Sequence, residues 1–259
     1  MTELMLQERQ GLILERLRRN GRVLAAPLAS EFGVSEDTIR RDLRDMAAAG
    51  LCERVYGGAL PVTKAKTSLK ERLNLHIDCK RILASAMAET ILPRSVVFFD
   101  AGSTNLAIAE ALPEALSLTA VTNSPAIAQC LMEKPEVETI LIGGTVNRMV
   151  GGTVGAQAIM ALQDMAPDLC LIGTCGLGEG GELSVYDQED AAFKRTAVRR
   201  SRQVAVAVMA EKIGLNAPFT IARAGQYHRL VVEAHIEPSR LSAIRESGCE
   251  IVTAMPQKS

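Results

Sequence analysis

The chain has 259 residues, enough for two domains or for one small domain and one of about 150 to 200 residues. Hydrophobic residues make up 47% of the sequence and aromatic residues only 3%, with no Trp, which is typical of a core filled by aliphatic side chains. The net charge is −1, and residues 1–64 hold ten Lys and Arg against nine Asp and Glu, so no basic excess indicates nucleic-acid binding. Any such function must rest on the placement of individual residues.

Neither a signal peptide nor a membrane span is predicted. The N-terminal residues MTELMLQERQ are polar, and the longest clearly apolar run, residues 204–210, is far shorter than the roughly 20 residues that a bilayer requires. We therefore expect a cytoplasmic protein without a membrane partner. The six cysteines are scattered, with no His at ligand spacing, so we expect reduced thiols, no metal and no cofactor. Cys170 and Cys175 form the one local pair suited to thiol chemistry.

Two short helices are predicted at the start of the chain. Apolar residues recur at helical spacing between Leu6 and Leu17 and predict a first helix over residues 5–19. Pro27 fits the first turn of a second helix, because its fixed φ suits that position and its missing donor is not needed there. Gly33 ends this second helix in a tight turn.

A third helix is predicted from residue 36 to about residue 48, with Ser35 as its N-cap. Its buried stripe consists of Ile39, Leu43 and Met46. Three arginines face away from this stripe: Arg40, Arg41 and Arg44. A solvated surface helix explains such a face equally well, but the helix and short turn immediately before it favour insertion into a DNA groove. Asp42 and Asp45 lie on another flank, where they pair with a neighbouring helix or are solvated.

A short hairpin is predicted after the third helix. Residues 51–55 alternate as a strand, and Gly57-Gly58 turns the chain back through residues 59–62. Side chains on such a wing lie near the DNA backbone, where Arg and Tyr donate hydrogen bonds to phosphate. The predicted DNA-contacting residues are Ser35, Thr38, Arg40, Arg41, Arg44, Arg54 and Tyr56.

The rest of the chain is predicted to form an α/β domain. We place a winged helix-turn-helix domain at residues 1–60, a polar linker at residues 61–75 and the α/β domain at residues 76–259. Apolar runs alternate with helical segments, which indicates a mainly parallel sheet covered on both faces. The predicted strands are residues 96–99, 118–121, 137–142, 169–172, 204–208, 230–232 and 249–252.

Polar loops follow three of these strands at the edge where ligands of parallel sheets bind. Residues 100–105 (DAGSTN) lead into a helix, so free backbone amides and hydroxyl groups meet at a helix N-terminus, as in phosphate sites. Residues 122–124 (TNS) and Gly143-Gly144 follow the next two strands. One such loop is an ordinary connection between a strand and the next element, whereas three in succession favour an anion pocket.

Several of these motifs carry a resemblance to a known family. TIRRDL at residues 38–43, followed by RVYGGA at residues 54–59, resembles the N-terminal signature of DeoR-family bacterial transcriptional regulators, although Tyr56 replaces the usual His. DAGST, TNS and EDAAFK at residues 189–194 resemble motifs of that family's sensor domain. The resemblance implies a C-terminal domain similar to ribose-phosphate isomerases, a phosphorylated sugar as effector, and repression of a sugar or carbohydrate catabolic operon.

The resemblance also implies the effector-binding residues. It places Lys194 at the effector phosphate and matches Lys212 to the lysine of a D-x-S-K motif. The chain departs from that motif at Met209 and Glu211, which leaves a pair with Glu211 or solvent as the alternative to a ligand contact of Lys212. The predicted effector-binding residues are Asp100, Gly102, Ser103, Thr104, Asn105, Thr122, Asn123, Ser124, Gly144, Lys194 and Lys212.

Three functions remain open from the sequence. A repressor needs at least a homodimer on double-stranded operator DNA, because one helix-turn-helix makes too few base contacts for typical operator affinity. A sugar-phosphate isomerase needs a positioned carboxylate base, and the strand end at residues 173–177 (GTCGL) offers none, so we predict no catalytic residue. A thiol-based regulator acting through Cys175 is the third.

Overall fold

The computed structural model describes residues 6–20, 23–49, 51–55, 57–61 and 67–255. The chain divides into two compact units, Met1–Lys66 and Thr67–Ser259. Their boundary falls within the segment predicted as a linker, of which residues 62–66 lie outside the described residues.

The described residues of the N-terminal unit form three helices and a small antiparallel sheet. The helices are α1 (Leu6–Asn20), α2 (Ala25–Phe32) and α3 (Glu36–Ala48). The strands are β1 (Val23–Leu24), β2 (Cys52–Val55) and β3 (Gly58–Pro61), in the order β1-β3-β2. Three helices followed by the β2–β3 hairpin confirm the predicted winged helix-turn-helix fold.

Local sequence signals explain where α2 and α3 begin and end. Pro27 lies in the first turn of α2, and Gly33 adopts a left-handed φ of 66° directly after that helix. The Ser35 hydroxyl accepts a hydrogen bond from the Thr38 amide at 3.1 Å and so caps α3. The predicted stripe of α3 is buried in a core with side chains of α1: Ile13, Leu17, Ile39, Leu43 and Met46.

A buried ion pair joins α1 to α3. Arg9 donates to both carboxylate oxygens of Asp42, with Nε 2.5 Å from Oδ2 and Nη2 3.2 Å from Oδ1. Both residues are buried, whereas Asp45 is exposed. Of the two alternatives for the acidic flank of α3, Asp42 therefore pairs with a neighbouring helix and Asp45 faces solvent.

The C-terminal unit contains many short elements. Its strands are β4 (Val96–Phe99), β5 (Leu118–Thr122), β6 (Val137–Leu141), β7 (Thr145–Asn147), β8 (Gly152–Val154), β9 (Leu169–Ile172), β10 (Gly176–Leu177), β11 (Leu183–Val185), β12 (Gln203–Val208), β13 (Phe219–Ala222), β14 (Arg229–Glu233) and β15 (Glu250–Ala254). Its α-helices are α4 (Leu69–Leu73), α5 (Ile77–Ala88), α6 (Ser103–Ala111), α7 (Pro125–Met132), α8 (Ala156–Gln163), α9 (Gln188–Arg200) and α10 (Ser242–Glu246). Two 3₁₀ helices are Ala210–Lys212 and Pro238–Leu241.

Seven of these strands form one parallel sheet in the order β15-β14-β12-β9-β4-β5-β6. They are the seven strands predicted from apolar runs, so the mainly parallel α/β architecture is confirmed. Alternate side chains of β4 point to opposite faces of the sheet. Phe98 packs with Phe193 of α9 on one face, and Val97 belongs to the core on the other face, which includes Ile108 of α6. Burial on both faces explains why inner strands such as β4, β9 and β12 appear as apolar runs.

The smaller strands form two accessory sheets. Strands β7 and β8 make an antiparallel hairpin, and β10-β11-β13 make a three-stranded antiparallel sheet. In the part of the chain that the structure describes, no helix is both long enough and apolar enough to cross a membrane.

The Arg9–Asp42 pair yields a stability prediction. Asp42→Ala leaves the guanidinium of Arg9 buried without its carboxylate, which should lower the free energy of unfolding by about 3–5 kcal/mol. Glu31→Ala, which breaks an exposed pair with Arg16, should change it little. Urea unfolding followed by far-ultraviolet circular dichroism compares the two variants. Equal effects would show that burial of the Arg9–Asp42 pair does not matter to stability.

Candidate functional site

The outer face of α3 carries the three predicted arginines. Arg40, Arg41 and Arg44 are all exposed. Arg40 contacts Glu36 at 3.0 Å and Asp37 at 3.4 Å on its own helix, as expected for exposed i,i+4 and i,i+3 pairs. An exposed cationic face of this kind is suited to phosphate and base-edge contacts in a DNA groove.

The remaining predicted DNA-contacting residues lie at the start of α3 and on the wing. The hydroxyls of Ser35 and Thr38 lie 2.8 Å apart at the N-terminus of α3. Arg54 is exposed on β2, opposite Ala59 of β3. Tyr56 lies outside the described residues. The structure therefore brings Ser35 and Thr38 together at one helix end and places Arg54 on a separate hairpin.

A buried group of three charges lies at the carboxyl end of the parallel sheet. Lys194 of α9 forms ion pairs with Asp100, which directly follows β4, and with Asp190, one turn earlier on α9. Its Nζ donates a hydrogen bond to Asp100 Oδ2 and lies 3.4 Å from Asp190 Oδ1. The exposed fractions are 2% for Lys194, 0% for Asp100 and 5% for Asp190. With all three groups ionised, two carboxylates oppose one ammonium and the group carries a net negative charge.

Burial and pairing shift the pKa values of these three groups. Burial raises the pKa of Asp190 to about 6 and also raises the pKa of Asp100, in both cases against the opposing effect of Lys194. Burial lowers the pKa of Lys194, but the two carboxylates outweigh it and raise that pKa. Lys194 therefore keeps its charge at neutral pH. Within the described residues, Asp100 Oδ1 and Asp190 Oδ1 have no hydrogen-bond partner.

The backbone amide of Gly173 and the side chain of Asn105 hold Asp100 in place. The amide of Gly173, which follows β9, donates to Asp100 Oδ2 at 2.6 Å. Asn105 Nδ2 donates to the carbonyl oxygens of Asp100 and Leu171, both at 2.8 Å. A Cβ atom on Gly173 would lie 2.9 Å from Asp100 Oδ2 and 3.6 Å from Lys194 Nζ, so a larger residue at this position would have to displace the Asp100 carboxylate.

The N-terminus of α6 lies immediately after Asp100. Gly102 is its N-cap residue and supplies no side-chain hydrogen bond, and Ser103 and Thr104 begin the helix. The first amides of a helix have no partner within the helix, and the helix dipole favours an anion there. This end of α6 thus offers backbone donors and two hydroxyl groups beside the buried charges.

The second predicted loop is tied to the main chain by its own side chains. Thr122 Oγ1 donates to Phe99 O at 2.7 Å, and Ser124 Oγ donates to Gly151 O at 3.1 Å. Asn123 accepts from the Ala101 amide at 2.9 Å and donates to a carbonyl of β8 at 3.0 Å. All three residues are buried. Their side chains fix the loop against its neighbours.

Two predicted residues lie elsewhere on this edge. Gly144 is exposed in the turn between β6 and β7, with a φ of 140°. Lys212 Nζ donates to Thr174 O at 2.8 Å, and Glu211 Oε2 lies 3.1 Å from His76 Nε2. Lys212 therefore bonds to the backbone that follows β9, a partner not expected from the sequence.

Sequence reasoning did not assign Asp190 or Gly173 to the site. The i,i+4 spacing of Asp190 and Lys194 was a usable signal, because residues four apart lie on the same helix face. The role of Gly173 depends on the β4–β9 pairing, which brings residues 73 positions apart into contact and leaves no local signal.

Comparisons with known families agree with this architecture. Residues 9–65 match the family model described as the DeoR-like helix-turn-helix domain, and residues 75–234 match that of the DeoR C terminal sensor domain. A helix-turn-helix unit followed by a separate sensor domain defines a transcriptional regulator. The chain belongs to the DeoR family.

Curated relatives are similar along most of their length. The glycerol-3-phosphate regulon repressor of Escherichia coli (strain K12) is 33% identical over 81% of this chain and 84% of its own. The putative aga operon transcriptional repressor of Escherichia coli O157:H7 is 28% identical over 95% and 93%. The HTH-type transcriptional regulator GlpR of Haloferax volcanii is 29% identical over 95% and 96%.

Solved structures give weaker similarities. Ribose 5-phosphate isomerase A from Methanocaldococcus jannaschii aligns with a TM-score of 0.40 at 15% identity, over 52% of this chain and 54% of that chain. The full-length sorbitol operon regulator SorC from Klebsiella pneumoniae aligns with a TM-score of 0.39 at 12% identity, over 96% of both chains. Similarities of this size carry no argument about function.

The raised pKa of Asp190 predicts a pH dependence of stability. Its folded pKa of about 6 exceeds the value of about 3.9 for Asp in an unfolded chain. The folded protein therefore retains a proton there that the unfolded chain has lost, and the contribution of Asp190 to stability falls as the pH rises from about 4 through about 6. Asp190→Asn, which does not titrate, should lose less stability over this range.

Thermal unfolding at about pH 5 and about pH 7 measures this difference. Asp78→Asn, at an exposed position on α5, serves as the matched control and should follow the unmodified chain. The same loss of stability in the unmodified chain and in Asp190→Asn would contradict the assigned pKa.

Proposed function

We propose that the chain is a sequence-specific DNA-binding transcriptional repressor whose affinity for operator DNA falls when a phosphorylated sugar binds at the carboxyl edge of the parallel sheet. The observation that carries this proposal is the buried Lys194 with its two carboxylates beside the uncapped N-terminus of α6. The same chain carries an exposed arginine face on α3. One unit thus has the chemistry of a small-anion site and the other that of a DNA-contacting surface.

The two halves of the site match two parts of a sugar phosphate. A phosphate group suits the amides at the start of α6 and the hydroxyls of Ser103 and Thr104. Sugar hydroxyls suit the carboxylate oxygens of Asp100 and Asp190 that accept no hydrogen bond from the described residues. Inorganic phosphate would satisfy only the first half, and an unphosphorylated sugar only the second.

The other predicted residues support the site in different ways. We propose that Lys194 keeps the carboxylates of Asp100 and Asp190 together and donates to the ligand, since its charge is already matched by theirs. Asn105, Thr122, Asn123 and Ser124 shape the loops through backbone hydrogen bonds. The exposed backbone at Gly144 and the fixed Lys212 lie at the margin of the site.

The names of the relatives support a link to carbohydrate metabolism. One is named for a glycerol-3-phosphate regulon and another for the aga operon, and both are named as repressors. We further propose that this chain acts in the cytoplasm as a homodimer or larger oligomer, because operators of helix-turn-helix proteins pair two half-sites. The effector class then follows from the site, and the direction of regulation follows from the relatives.

The isomerase and thiol alternatives are set aside for separate reasons. The relatives are named as regulators, and the strand end after β9 carries no carboxylate that could serve as a catalytic base. Burial raises the pKa of the Cys170 thiol, which disfavours the thiolate that redox chemistry with Cys175 requires.

The proposal predicts the effect of removing an arginine from α3. Arg44→Ala should weaken binding to a duplex selected from a random library by about 1–3 kcal/mol, because a base-reading arginine is lost. Arg81→Ala, which removes a similarly exposed arginine on α5, should leave affinity unchanged. Fluorescence anisotropy measures both variants at one salt concentration. Unchanged affinity of Arg44→Ala would remove Arg44 from the DNA-contacting set.

A second prediction concerns Lys194. Lys194→Ala should abolish release of the duplex by sugar phosphates while leaving duplex binding intact, because the carboxylates of the site lose their common partner. Arg199→Ala, an exposed change on the same helix, should respond normally. The assay adds a panel of phosphorylated sugars to the complex and follows anisotropy.

A milder variant distinguishes a loss of effector binding from a loss of folding. Ser103→Ala removes one hydroxyl at the N-terminus of α6 and no buried charge, and it should raise the sugar phosphate concentration needed for release. A normal response in both Lys194→Ala and Ser103→Ala would place the effector elsewhere.

A further inference from the structure

The β7–β8 hairpin contacts both the candidate effector site and α4, the first helix after the unit boundary at residue 66. Its turn, residues 148–151, joins two short strands, and its backbone carbonyls accept hydrogen bonds from side chains of other elements. Three groups of contacts define the position of this hairpin within the C-terminal unit.

The first group fixes α4 to the turn. Arg72 of α4 donates from Nη1 to Met149 O at 2.7 Å and from Nη2 to Val150 O at 3.0 Å. The same Nη1 donates to Thr67 O at 2.7 Å, at the start of the C-terminal unit. Hydrogen bonds from an ionised donor are stronger than neutral ones. One guanidinium therefore joins the segment before α4 to the hairpin turn.

Direct packing adds to these hydrogen bonds. A Cβ atom on Gly151 would lie 2.3 Å from Leu69 Cδ2 and 2.7 Å from Leu69 Cβ. Gly151 also has a left-handed φ of 84°, which L side chains rarely adopt. The first turn of α4 thus lies against bare backbone of the hairpin, where a larger residue at position 151 would not fit.

The second group ties the hairpin to the loop beside α6. Ser124 Oγ donates to Gly151 O at 3.1 Å, and the Thr153 amide donates to Asn123 O at 2.8 Å. A Cβ atom on Gly152 would lie 2.5 Å from Ala101 Cβ. The residues that hold Leu69 and Arg72 are therefore adjacent to those that border the N-terminus of α6.

The third group ties the hairpin to α9. Asn147 Nδ2 donates to Asp187 Oδ2 at 3.1 Å. The other carboxylate oxygen of Asp187 caps α9 by accepting from the Asp190 amide at 2.9 Å. The hairpin is thus bonded to the first turn of the helix that carries both Asp190 and Lys194.

We propose that the β7–β8 hairpin transmits effector occupancy to α4, and that Arg72 is the residue that couples them. A ligand that draws the N-termini of α6 and α9 toward itself acts on the hairpin at Asn123, Ser124 and Asp187. The carbonyls of Met149 and Val150 then carry that shift to Arg72 and to the chain that leads into the DNA-binding unit. This inference rests on the proposed function, because it concerns regulation through the same site.

The experiment measures a coupling factor, the ratio of duplex Kd values with and without a saturating sugar phosphate. Allosteric coupling typically changes affinity by about 5- to 150-fold. Arg72→Ala should bring the factor close to one while duplex affinity without effector and sugar phosphate affinity by calorimetry stay near those of the unmodified chain. Arg148→Ala, an exposed change in the same turn, should retain the full factor.

Gly151→Ala provides an independent test that leaves Arg72 in place. Its Cβ atom displaces Leu69 and should also lower the coupling factor, and thermal unfolding shows whether each variant is folded. A full coupling factor in folded Arg72→Ala or in folded Gly151→Ala overturns the inference. If the unmodified chain binds no duplex, or binds it without any response to sugar phosphates, the proposed function itself fails.

Discussion

The burial of Lys194 between Asp100 and Asp190 is the constraint on which the C-terminal unit depends. A buried ammonium must be paired, and only the carboxyl edge of the parallel sheet brings the end of β4 next to α9. The amide of Gly173 supplies a further hydrogen bond to Asp100, and Asp187 fixes the start of α9. Strand order, a glycine at the end of β9 and the cap of α9 are therefore all requirements of one charged group.

Two buried charged groups in the described residues, the Arg9–Asp42 pair and the group around Lys194, have different consequences. Arg9 and Asp42 form a balanced pair in which both carboxylate oxygens are hydrogen-bonded. The group around Lys194 has one carboxylate in excess and two oxygens that accept no hydrogen bond from the described residues, of which Asp190 Oδ1 lies 3.4 Å from Lys194 Nζ. Buried ion pairs are weak evidence for stability, and an unsatisfied one is destabilising. An arrangement of that kind is expected where a ligand completes it, as in a binding site.

Long apolar patterns were predictable and contacts between distant residues were not. The inner strands of the parallel sheet were predictable because burial on both faces makes them apolar runs, as in β12 (QVAVAV). The β7–β8 hairpin was missed because it has three residues in each strand and a glycine-containing turn. Thr122, Asn123 and Ser124 were expected to contact a ligand, since a sequence does not distinguish a free polar group from one bonded to the backbone.

The hydrogen bonds from these polar side chains to the backbone matter for regulation. An enzyme needs a base positioned next to its substrate, but a regulator needs a site whose small movements reach another unit. A loop held by Thr122, Asn123 and Ser124 has little freedom to absorb a shift, so a displacement at the α6 N-terminus must pass to β8 and to the turn at Gly151. Packed elements transmit such shifts because they rearrange as units. Thr122, Asn123 and Ser124, which suggested an anion pocket from the sequence, therefore stiffen the loop beside α6.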